Sequence, residues 1–124
     1  MIVGVGIDII EVERVALKLN RNNGFLEKVF SPAEIAACKS SVSEQESFAA
    51  RFAAKEAFLK ATGKGLSAGH DLCDIEVLNE ESGKPSIQLR NSFAELGKEN
   101  GWNKVHVSLS HIKSTACAMV IIES

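Results

Sequence analysis

The sequence predicts an α+β fold in which a long helix packs on an antiparallel sheet. Strand-like alternation opens and closes the chain, helical periodicity fills much of the interval, and the later strands pair as hairpins with no strand-helix-strand alternation. The 124 residues amount to one domain, expected to span 1–124, with a modest core that self-association would help to complete.

Residues 2–10 (IVGVGIDII) alternate β-branched residues with glycine, a first strand that delivers Asp8 to the sheet edge. The following EVERVALKLN has Val12, Val15, Ala16 and Leu19 at helical spacing, while Arg14, Lys18 and Arg21 form a basic stripe on another face. Asn22, Asn23 and Gly24 break that helix, and a short apolar piece covers 25–30. Ser31-Pro32 opens the next helix, with serine as N-cap and proline in the first turn, closing near Ser40. Ser43 and Glu46 have capping-box spacing, which predicts the start of a long helix running to Thr62-Gly63. DIEVLNE and PSIQLR form a hairpin around 81–84, Asn91 caps a helix, and VHVSLSH pairs with STACAMVIIE, whose apolar strand suits a sheet centre.

Composition excludes several functions. With 45% hydrophobic and 24% charged residues the chain is neither disordered nor fibrous, and a net charge of -2 gives no broad hold on nucleic acid or anionic lipid. No apolar run approaches the ~20 residues of a membrane span, and Met1 leads into apolar alternation without a basic leader, so a cytosolic protein is expected. The three cysteines, Cys38, Cys73 and Cys117, form no CxxC unit and read as reduced small hydrophobes. His70 and His106 read as satisfied structural histidines.

The candidate chemistry lies on the long helix and two strand ends. Glu56 and Lys60 continue the face of Ala49, Phe52 and Ala53, where an acid needs a partner. They are either an ordinary i, i+4 ion pair or part of a metal site in which Asp8 and Glu56 supply two hard oxygen ligands, an arrangement that suits Mg²⁺ when waters and substrate phosphates complete the shell. Arg51, Lys55, Lys60 and Lys64, with Gly63 and Gly65, offer cations and a close-approach loop for phosphate. Neither GKG nor GVG has the spacing of a nucleotide-binding fingerprint. Ser110 and His111 end a strand as a hydroxyl and an imidazole able to bind phosphate or ribose. As neighbours on opposite sides of a strand, with no GxSxG elbow, they do not make a hydrolase triad.

Three segments, GIDIIEVERV at 6–15, RFAAKEAFLKATGKG at 51–65 and VSLSH at 107–111, together with the GKP turn at 83–85, resemble the holo-acyl-carrier-protein synthase family of short 4′-phosphopantetheinyl transferases. The resemblance implies transfer of the phosphopantetheine arm of coenzyme A to a serine of an apo acyl carrier protein, in the service of lipid synthesis, with release of adenosine 3′,5′-bisphosphate. It implies Mg²⁺ as the metal, Asp8 and Glu56 as its ligands, and Lys60 as the lysine beside the reacting phosphates. The coenzyme contacts it implies are Lys60, Gly63, Lys64, Gly65, Ser110 and His111. The proton of the carrier serine goes either to Glu56 or to a metal-bound water that Glu56 orients. Acyl carrier proteins are small and acidic, so the stripe Arg14, Lys18 and Arg21, with Phe25 as an apolar anchor, becomes the expected docking face. The family likeness further implies a homotrimer, with the coenzyme near a subunit boundary.

Overall fold

The computed structural model describes residues 1–21, 23–64 and 69–124. The elements follow in the order β1 (Ile2–Glu11), α1 (Val12–Leu19), α2 (Phe25–Val29), α3 (Pro32–Lys39), α4 (Glu44–Thr62), a 3-10 turn (Leu72–Asp74), β2 (Ile75–Asn79), β3 (Pro85–Leu89), α5 (Asn91–Asn100), β4 (Lys104–His111) and β5 (Thr115–Glu123). The apolar β5 is central in an antiparallel sheet of order β1-β5-β4, and β2 and β3 form a separate hairpin. The expected α+β architecture, with a long helix on an antiparallel sheet, is thus the observed one.

β5 alternates cleanly, with Ala116, Ala118, Val120 and Ile122 buried toward α4. Phe58 stands in that core with Ile75, Val77 and Phe93, and a second core gathers Val15, Phe30, Cys38 and Phe48 under α1 and α3. Gly4, Gly6 and Asp8 share the face of β1 that meets α4. A Cβ on Gly4 or Gly6 would overlap the carbonyl oxygen of Ala61 or Ala57, so these two glycines allow strand and helix backbones to touch. The opposite face is apolar yet bare. Val3, Val5, Ile7 and Ile9 of β1 are exposed, Ile9 to 71%, and Met119 of β5 adjoins Ile7 in the register.

Two helix starts depart from expectation. The capping box forms at Ser31 and Glu34. At α4, Ser43 makes no side-chain cap, and the Glu46 carboxylate instead accepts a hydrogen bond from His111 Nδ1 at 2.7 Å. Asn91 is not the cap of α5. Arg90 holds that position, while Asn91 takes a positive φ of 52° and donates its side-chain amide to Asp74 at 2.9 Å. Asn22 and Gly65, assigned to a helix break and a phosphate loop, lie outside the described residues. No described helix is long and apolar enough to cross a membrane.

Candidate active site

β1 and α4 build the site between them. The glycine contacts bring β1 against α4, and Asp8, two residues beyond Gly6, reaches the Glu56–Lys60 turn of the helix. Lys60 Nζ donates to Asp8 Oδ1 at 3.0 Å, an ion pair in which the aspartate side chain is 15% exposed and the lysine 57%. Among the described contacts, then, Lys60 pairs across to the strand and not with Glu56 one turn earlier, against the simple i, i+4 alternative. Burial raises the pKa of Glu56 and the Asp8 charge raises it further, while Lys60 and Lys18 pull it back. Asp8 of β1 therefore forms one electrostatic cluster with Glu56 and Lys60 of α4.

Its donor set fits a hard divalent cation. Two carboxylates close enough to raise the proton affinity of one of them gain when a cation arrives, and carboxylate oxygens are the ligands Mg²⁺ accepts. Among the described residues no three His, Cys, Asp or Glu side chains gather at one point, so the protein would supply two acids and leave the other positions to water or substrate.

The remaining expected residues are spread around this cluster. Gly63 ends α4 in the left-handed conformation at φ 70° with open space where a Cβ would stand, which leaves its backbone approachable. Lys64 donates to Asn100 Oδ1 at 3.4 Å, beside the end of α5. Ser110 and His111 fall on opposite sheet faces. Ser110 pairs in register with Cys117 on the bare face, whereas His111 lies on the α4 side with Glu46.

His111 also lines a cleft of about 500 Å³ between α4, the β2–β3 turn and β4, to which Ser47, Arg51, Lys84 and Ser108 contribute. Arg51 is anchored there by Nε donating to the Val77 carbonyl at 3.1 Å and a guanidinium N–H donating to Ser47 Oγ at 2.6 Å. Asp8, Glu56 and Lys60 do not line this cleft. Lys84 and Ser47 are not among the site residues that the sequence pattern marks; the GKP turn is the available signal for Lys84.

One cation in the sequence-derived phosphate set is misplaced. Lys55 is fully buried, its ammonium donating to Glu34 at 2.8 Å, to the Leu72 carbonyl at 3.0 Å and to the Ile75 carbonyl. Burial lowers its pKa and Glu34 works against that shift. Glu34 also accepts from the Ser31 and Val77 backbone amides, so Lys55 ties α3, α4 and β2 together and does not face a ligand.

The docking stripe also divides. Arg14 and Arg21 are exposed, with Arg21 beyond the end of α1. Phe25 packs on Phe52 with ring centroids 5.9 Å apart, and Lys18 Nζ stands 5.8 Å over the Phe25 ring and 5.6 Å over the Phe52 ring. His70 and His106 have partners in Ser92 and Glu123, as expected of structural histidines. All three cysteines are free, Cys38 buried and the other two partly so.

The 4′-phosphopantetheinyl transferase superfamily pattern matches residues 4–120. The chain is 45% identical over 124 residues to the holo-[acyl-carrier-protein] synthase of Syntrophus aciditrophicus, covering 99% of this chain and 97% of that one. Its fold is similar to the crystal structure of the Neisseria meningitidis holo-[acyl-carrier-protein] synthase, with a TM-score of 0.90 at 30% identity over 100% of both chains. It is also similar to the Bacillus anthracis holo-(acyl-carrier-protein) synthase solved in complex with CoA (3′,5′-ADP), with a TM-score of 0.81 at 38% identity over 100% of this chain and 98% of that one. Fold and sequence agree: the chain belongs to the 4′-phosphopantetheinyl transferase superfamily, among the holo-acyl-carrier-protein synthases.

Proposed function

We propose that this chain, as one transferase domain over residues 1–124, moves the 4′-phosphopantetheine arm of coenzyme A onto a serine of apo acyl carrier protein and releases adenosine 3′,5′-bisphosphate. The observation that carries the reading is the meeting of Asp8, Glu56 and Lys60 across β1 and α4 in a chain of this family. In the reaction the serine oxygen bonds to the phosphorus that bears the arm. The bond from that phosphorus to the bridging oxygen breaks, and the bisphosphate leaves with the electron pair. Charge grows on phosphate oxygens, so cations fixed beforehand lower the barrier.

Asp8 and Glu56 would hold Mg²⁺, which when bound supplies Lewis-acid neutralisation of the diphosphate. Lys60 fixes the Asp8 carboxylate and has ammonium protons left for phosphate oxygens. The serine proton goes to Glu56 or to a water that Glu56 orients, and the water is the favoured acceptor because a carboxylate that holds a cation is a weak base. Gly63 and Lys64 receive the coenzyme beside this cluster. His111 and Ser110, with Arg51 and Lys84 of the cleft, would contact its remainder, and their separation from Asp8 in one chain supports a coenzyme lying near a subunit boundary.

Arg14, Lys18 and Arg21, with Phe25 beside them, form the face for the acidic carrier, since α1 follows β1 directly and so begins near the acids. The bare apolar strip of Val3, Val5, Ile7 and Ile9 supports a homotrimer that buries it. Free cysteines fit the cytosol.

Intact-mass measurement of apo carrier protein incubated with the chain, coenzyme A and Mg²⁺ tests the reading. A gain of one phosphopantetheine arm with release of the bisphosphate supports it. Hydrolysis of coenzyme A without gain by the carrier, or no reaction, contradicts it.

A further inference from the structure

Glu46 stands in the first turn of α4 but serves another element. Its carboxylate accepts from Nδ1 of His111, 65 residues on at the end of β4, and Ser43 is left without a side-chain cap. The acid is the more sheltered partner, with 22% of the Glu46 side chain exposed against 43% of His111. Ser47, the next residue, holds Arg51 in the same way, its Oγ accepting from a guanidinium N–H at 2.6 Å. Adjacent residues of one helical turn thus each fix a nitrogen-bearing side chain of the cleft that His111, Arg51 and Lys84 line together.

The charges around His111 give that pairing a use. Arg51 of α4 and Lys84 of the β2–β3 turn line the cleft, Lys113 follows on the β4–β5 turn, and β5 sets the uncharged Ala116 opposite the histidine in register. Among the described contacts, the carboxylate on the ring is that of Glu46. A carboxylate beside a cationic cleft repels an anion; behind an imidazolium it instead balances the ring's charge. With Nδ1 donating to Glu46, Nε2 is the nitrogen left for a ligand. In the neutral ring that nitrogen is an acceptor and would face a phosphate oxygen lone pair to lone pair, whereas an imidazolium donates through both nitrogens.

We infer that Glu46 is a positioning residue for the coenzyme: it fixes the His111 ring and balances the imidazolium that donates through Nε2 to a phosphate oxygen in the cleft. The inference rests on the transferase reading, which puts His111 among the coenzyme contacts, and adds the residue that sets the state of that contact. Both hydrogen bonds of the ring are then charge-assisted, one to carboxylate and one to phosphate. Where the ring is neutral beforehand, the proton on Nε2 is drawn from solvent, and no covalent bond of the coenzyme changes.

The test is a double-mutant cycle on the intact chain with Glu46→Gln, His111→Gln and the pair. Glutamine at position 46 keeps an acceptor for Nδ1 and removes the charge. Calorimetric affinity for coenzyme A, in chelator and without carrier protein, is measured from pH ~5.5 to ~8.5, across the histidine range. Titration of the coenzyme's own phosphate is common to all four chains and cancels in their comparison. Glu46→Gln is expected to weaken binding several-fold near pH ~7.5 and to match the wild type below pH ~6, where an imidazole is protonated without a carboxylate's help. In the His111→Gln background it adds no further loss. In turnover with Mg²⁺ the Glu46→Gln loss falls on the coenzyme KM more than on kcat. A loss that is equal at every pH, or that persists without His111, makes Glu46 a structural residue and overturns the inference, as does unchanged affinity. Should Glu46→Gln fail to fold, Glu46→Ala enters the cycle under the same requirement that its loss vanish without His111. Transfer by the wild-type chain is scored separately: its absence beside a coupled cycle sinks the transferase reading alone, whereas transfer beside an uncoupled cycle sinks only this inference.

Discussion

Gly6 of β1 and Ala57 of α4 meet backbone to backbone: a Cβ at Gly6 would overlap the Ala57 carbonyl oxygen and stand 2.7 Å from the Ala61 amide nitrogen. Neither neighbour is the tip of a flexible side chain, so neither can yield cheaply. Gly6→Ala is therefore expected to push strand from helix, lower the melting temperature strongly and separate Asp8 from Lys60. Thermal denaturation checks this. A variant that melts with the wild type would show that the contact tolerates a methyl group.

Glu56 carries a charge that costs stability. Burial first, and then Asp8, raises its pKa above the ordinary carboxylate range. A carboxyl whose folded pKa exceeds its unfolded value opposes folding once the pH rises above the unfolded value, and it does not below that. Glu56→Gln in metal-free buffer should thus match or exceed the wild-type melting temperature at neutral pH, lose any advantage near pH ~4, and lack transfer activity. Melting curves across pH, beside the transfer assay, test both halves. A large destabilisation at neutral pH contradicts the account.

Lys55 and Glu34 form a fully buried ion pair. Removing one member leaves the other charge without its partner, a loss of about 3–5 kcal/mol. Lys55→Met should accordingly lower the melting temperature by roughly 10 °C or more for a domain of this size. Adding Glu34→Leu should recover only part of that, because the Ser31 and Val77 amides also donate to Glu34. Denaturant titration of the single and double variants measures the coupling.

The bare face of β1 gives an assembly prediction. Ile7 is 61% and Ile9 71% exposed in the single chain, an apolar strip that water does not favour. Ile7→Lys with Ile9→Lys should convert the proposed trimer into monomers without disturbing the Asp8 face of the same strand. Light scattering reports the mass of both forms, and a monomeric wild-type chain would refute the trimer.

Much of this architecture was legible because local signals and tertiary packing agree. The Ser31 cap, the Gly63 stop and the central placement of β5 follow from turn chemistry and periodicity. Expectation failed where a long-range partner outbid a local one. Glu46 has the spacing to cap Ser43, but His111 of β4 takes its carboxylate. Asn91 has the chemistry of a cap, but Asp74 takes its amide. Lys55 resembles its lysine neighbours in sequence, and only the fold of β2 and the 3-10 turn over it shows that it is interior. In sequence, Gly4 and Gly6 look like ordinary members of an alternating strand; two glycines on one face, opposite Ala57 and Ala61 four apart, are the signal for close helix contact.

The most direct test of the central claim is anomalous diffraction from crystals grown with Mn²⁺ and adenosine 3′,5′-bisphosphate or coenzyme A. The account expects one anomalous peak within coordinating distance of both Asp8 and Glu56, with phosphate oxygens on the same ion and Lys60 beside them. An ion bound elsewhere while both carboxylates face only solvent and lysine would contradict it.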